Sequence, residues 1–115
     1  MNNTQTWRLY MWRLEDVQRR ANATLQEKTN LDQTVAALAI DEAVLVQQLY
    51  VISLKQLAAP SVDLILVELY ARAQLARIKQ ALSAHLQTKS DIETRIAYLS
   101  REYVAISRDF VQCFG

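Results

Sequence analysis

Counted in sevens from Trp7, the first half of the chain places Trp7, Leu14, Ala21, Lys28, Val35, Glu42 and Leu49 in one column. Three residues further on, Tyr10, Val17, Thr24, Leu31, Leu38, Leu45 and Ile52 form a second column. This alternation gathers apolar side chains on one face of an α-helix and makes a coiled-coil seam, with polar defects at Thr24, Lys28 and Glu42. The second half repeats the device: Leu75, Leu82, Lys89, Ile96, Tyr103 and Phe110 alternate with Ile78, His85, Ile92, Leu99, Ile106 and Cys113. Between the halves lies the only proline, Pro60. Proline lacks an N–H and pushes its predecessor out of the helical region, so the first helix is predicted to stop near Ala58. Pro60 suits the first turn of the next helix, and Ser61 can cap it. The pattern predicts an all-α fold, an antiparallel two-helix coiled-coil hairpin in a single domain 1–115. Its arms run over about 4–57 and 61–114, with a turn at 58–61. At about 1.5 Å per residue an unbroken arm would be roughly 80 Å long.

Two short motifs interrupt this regularity. Asn30-Leu31-Asp32-Gln33 and Ser90-Asp91-Ile92-Glu93 both have the form of a capping box, so breaks near Asn30 and Ser90 are an alternative to continuous arms, with a hinge or a four-helix arrangement as the result. Folding at Pro60 sets Lys28 opposite Lys89 and Thr24 near Ile92, which brings the polar defects to one level. Such a level weakens a seam locally and fixes its register.

Outside the seam, Ile40, Val44, Val51 and Leu54 make a second apolar stripe on the first arm. Val62, Ile65, Leu66, Leu69, Tyr70 and Ala73 give the second arm a similar surplus. One facing helix cannot cover both stripes, so other elements of the chain, a second copy or another protein must do so. Hydrophobic residues make up 51% of the sequence, more than the two-in-seven seam of an isolated coiled coil requires.

Charge and chemistry narrow the function classes. A net charge of +1 and a pI near 7.9 give no general pull toward nucleic acid or acidic lipid. The single glycine, Gly115, leaves no phosphate-binding loop. The N-terminal residues lack a signal-like apolar core, and the apolar runs are interrupted by Glu68, Gln47 and Gln48, so no secretory signal and no transmembrane segment are expected. The one cysteine suits a reducing compartment, and a cytoplasmic protein is expected. His85, the only histidine, is expected as a hydrogen-bonded seam residue, and Cys113 as a seam hydrophobe. No metal, cofactor or catalytic group is expected. Glu42, on the seam, calls for a structural partner at Arg72 or Arg77. Trp7, Tyr10, Met11 and Trp12 are placed either to anchor on a partner or to clasp Tyr103, Phe110 and Phe114 of the returning arm.

A heptad hairpin of this length, with arginines toward its terminal end and apolar residues toward its turn, resembles the small stalk proteins of bacterial type III secretion and flagellar export, the FliJ/YscO family. The resemblance covers nearly the whole chain in pattern and rests on architecture, not on signature residues. It implies a non-enzymatic stalk at the inner face of the membrane. The terminal end would enter the ring of the export ATPase, with Trp7, Arg8, Arg13, Arg19, Arg20, Arg101 and Arg108 facing the ring. It further implies contact with the export gate or chaperones through Ile40, Val44, Tyr50, Leu66, Leu69 and Tyr70. Two other classes compete: a homodimeric helical adaptor or secretion chaperone forming a four-helix bundle, and an enzyme built on Glu42, Arg72 and Arg77.

Overall fold

The computed structural model describes residues 3–114. Two helices, α1 (Asn3–Ala58) and α2 (Val62–Phe114), form an all-α helical hairpin. Both run without interruption, so neither capping box ends a helix. The reasons are local. Asn30 Oδ1 accepts from the side-chain amide of Gln26 one turn back at 3.0 Å, and the Ser90 carbonyl accepts from the Thr94 hydroxyl one turn on at 3.0 Å.

α1 stops at Ala58 as Pro60 demands, with the Ala59 N–H closing a last turn on the Lys55 carbonyl at 2.8 Å. Pro60 itself sits outside α2, not in its first turn as expected, because Ser61 takes the N-cap. The Ser61 hydroxyl accepts from the Asp63 N–H at 3.2 Å, its carbonyl accepts from the Ile65 N–H at 3.2 Å, and its own N–H donates to Gln56 Oε1 at 3.3 Å. Asp63 adds a negative charge where the helix dipole favours one. No described residue has a positive φ, so the reversal needs no glycine.

The helices contribute to two compact units. Unit 1 combines the described parts of Met1–Asn30 and Lys89–Gly115; unit 2 is Leu31–Thr88. Unit 1 has a core of Val17, Leu99 and Ile106, flanked by half-buried Tyr10, Leu14 and Ala21, with Ile92 also buried. All of these belong to the heptad columns. Burying a side chain such as Ile92 fully stabilises by about 1.5–3 kcal/mol. Thr24, read from the sequence as a seam defect, is buried and satisfied, its hydroxyl donating to the Arg20 carbonyl at 2.8 Å. Unit 2 keeps the same columns half-buried, from Leu31 to Ile52 and from Leu75 to His85, and Ala71 is its one buried hydrophobic residue.

Two seam positions of α2 depart from expectation. Tyr103 is exposed while neighbouring Glu102 turns partly inward, drawn by Arg20 across the seam. Cys113 is exposed, its sulfur 3.6 Å from the Tyr10 hydroxyl. The apolar content of α1 has a further consequence: the helix contains a stretch of at least 18 residues long and apolar enough to cross a membrane by length and composition, none of it buried. The interruptions by Asp41, Glu42, Gln47 and Gln48 split it into short runs without outweighing its apolar residues.

Candidate functional site

Unit 1 carries the arginine-bearing surface. Arg20 bridges the helices: its Nη2 donates to Glu102 Oε1 at 2.9 Å and its Nε to Asp16 Oδ2 at 3.1 Å. The hydrogen bond to Glu102 raises the Arg20 guanidinium above its ordinary pKa, opposed by partial desolvation. The second Glu102 oxygen is shielded and has no protein partner among the described residues. Arg95 reaches Glu27 at 2.9 Å, tying the helices again. Arg13 lies over the Tyr10 ring at 5.6 Å from its centroid, a cation–π contact. Arg20 and Arg13 are thus engaged at home, whereas Arg8, Arg19, Arg101 and Arg108 are exposed and form no ion pair among the described residues.

Beside them, Tyr10, Phe110 and Phe114 meet in edge-to-face and tilted contacts, with centroids 5.9, 6.3 and 4.9 Å apart. Of the residues expected in a clasp, Tyr10, Phe110 and Phe114 come together, and Tyr103 does not join them. The hydrogen bond to Cys113, then desolvation, holds the Tyr10 phenol above its ordinary pKa. Trp7 and Trp12 stay exposed.

Unit 2 is different in kind. Ile40, Val44, Tyr50, Leu66, Leu69 and Tyr70 are all exposed, with Tyr50 and Tyr70 at 66% and 68%. Val46, Val51, Leu54, Leu57, Val62, Ile65 and Val67 join them. On one flank, the two helices leave an apolar groove of about 640 Å³, lined among others by Val44, Gln48, Val51, Lys55, Val67 and Tyr70. The groove was not legible from the sequence. The second stripe predicted exposed apolar residues, but which of them face each other across the hairpin depends on the rotation of each helix.

The inward cluster expected at Glu42 does not form. Arg72 donates twice to Glu68 Oε1, at 2.8 and 3.1 Å, one turn back on its own helix. A glutamate four residues before an arginine is a favourable helical pair, so Arg72 takes the nearer carboxylate. Glu42 stays half-buried on the seam. His85 is half-buried there too. No group of three or more histidine, cysteine, aspartate or glutamate side chains gathers for a metal among the described residues.

Fold and surface together define an all-α helical hairpin with arginines exposed on unit 1 and a large set of exposed apolar side chains on unit 2. No family model, no curated protein and no solved structure matches the chain.

Proposed function

We propose that this chain is a non-enzymatic stalk or adaptor of a bacterial type III protein secretion system, working at the cytoplasmic face of the membrane. The supporting observation is the uncovered apolar surface of unit 2. All six side chains proposed to meet the export gate or chaperones are exposed, and large apolar side chains left uncovered in such number within one unit support an interaction site there. In this reading, Trp7, Arg8, Arg19, Arg101 and Arg108 of unit 1 meet the export ATPase ring, with Arg13 and Arg20 holding local structure beneath them. A hairpin inside a ring touches only some subunits at once. Its contacts therefore favour one ring conformation over another by differential binding, which is the physical content of stimulation.

The test is ATPase stimulation by purified chain. Replacing Arg8, Arg19, Arg101 and Arg108 together by alanine is expected to abolish most of the stimulation while leaving helicity and thermal melting unchanged. Full stimulation by that variant would refute the ring-facing assignment. The scarcity of buried apolar residues in unit 2 also favours a second reading, a homodimeric helical adaptor or chaperone in which two hairpins make a four-helix bundle.

A further inference from the structure

Along the groove flank of α1, Val44, Gln48, Val51 and Lys55 follow one another at steps of four, three and four, the spacing of a second seam. Asp41, exposed and one heptad before Gln48, extends the row at its other end. The row is self-complementary. Asp41 and Lys55 lie seven residues either side of Gln48, and Val44 and Val51 lie four before and three after it. Neither Asp41 nor Lys55 forms an ion pair among the described residues.

We propose that a second copy of this chain closes the groove of unit 2 in an isologous, antiparallel pairing of α1 centred on Gln48. Reversed upon itself, the row sets Asp41 of each copy against Lys55 of the other and brings Val44 beside Val51, offset by one residue. The two Gln48 amides, each both donor and acceptor, meet on the two-fold axis. Val67 and Tyr70 of α2 supply the apolar wall that the incoming helix covers. Gln48 between two valines, with opposite charges at the two ends of the row, fixes register, so this pairing has one alignment and not a family of them. A lipid phase fits less well: Asp41, Gln47, Gln48 and Lys55 on one flank would each lose hydration with no partner in hydrocarbon. Dimerisation covers Val44 and Tyr70, so it competes with gate or chaperone docking through those residues. The pairing stands on the groove and its charge pattern and does not rest on the secretion reading, so either can fail alone.

The experiment is sedimentation equilibrium from about 1 to about 100 µM, the range in which a micromolar dissociation constant is read. Wild-type chain is expected as a dimer. Val51→Glu, which puts a charge in the groove, is expected to raise Kd at least about tenfold. Asp41→Lys and Lys55→Asp are each expected to raise it several-fold, about fivefold, and their combination to restore it to within about twofold. In a Cys113→Ser background, Gln48→Cys is expected to form an oxidised dimer and Ser53→Cys, on the opposite flank, is not. A monomer throughout, whether or not it binds phosphatidylglycerol vesicles, overturns the proposal. So does a dimer indifferent to these substitutions, or one that cross-links equally through residue 53.

Discussion

Unit 1 and unit 2 share the same helices and the same heptad repeat, yet they bury their residues very differently. Of the five buried hydrophobic residues among the described ones, Val17, Ile92, Leu99 and Ile106 belong to unit 1 and Ala71 alone to unit 2. Unit 1 is also tied across the hairpin by Arg20 with Glu102 and Arg95 with Glu27, whereas the Glu68–Arg72 pair of unit 2 stays within one helix. A seam alone therefore does not say where a hairpin is complete. In unit 1 the outer faces mix arginines and carboxylates with fewer exposed apolar residues, among them Trp7, Trp12, Tyr98, Val104 and Val111. In unit 2 the outer faces carry valine, leucine, isoleucine and tyrosine, and the seam satisfies only part of the apolar load.

The largest expected effect probes this contrast directly. Ile92→Ala and Ile106→Ala each remove a buried side chain from unit 1 and should cost about 2–4 kcal/mol in urea unfolding. Leu66→Ala, on an exposed outer face of unit 2, should change stability by less than about 0.5 kcal/mol. Equal losses at the three positions would erase the distinction between the units. A smaller effect is expected at the turn, where unit 2 depends on local bonding. Ser61→Ala removes the N-cap of α2 and should cost about 1 kcal/mol, with Ser61→Asp retaining most of the stability.

Smallest of all is a titration within unit 1. The Tyr10 phenol has its pKa raised by the Cys113 contact, so its neutral form is favoured in the folded state. This contribution is present below the unfolded value of about 10 and is lost as pH rises through the higher folded value. Phenolate absorbance, taken as the difference between wild type and Tyr10→Phe, should show Tyr10 ionising later than an unperturbed tyrosine. Cys113→Ala should move its midpoint back down. An unchanged midpoint would mean that the contact does not govern the phenol.

Much of the fold was legible because it depends on spacing and on one proline. The columns through Val17, Ile92, Leu99 and Ile106 mark the core of unit 1, and Pro60 marks the end of α1 at Ala58. What escaped depends on competition between near-equal local partners. Arg72 met Glu68 before Glu42, Arg20 drew Glu102 inward at the cost of Tyr103, and Gln26 engaged Asn30 within the helix. Exposure of the six apolar candidates near the turn followed from the surplus of stripes. The groove did not, since it requires the rotation of one helix against the other.

The proposed pairing covers unit 2 and leaves the core of unit 1 unchanged. Amide hydrogen exchange of the whole chain at about 1 and about 100 µM tests it most directly, because protection reports local opening free energy segment by segment. The expected result is protection of residues 41–55 and 67–77 that rises with concentration, while residues 14–21 and 92–106 exchange alike at both. Protection of unit 2 that is high and unchanged across that range would show its apolar faces already satisfied within one chain, and would contradict the pairing.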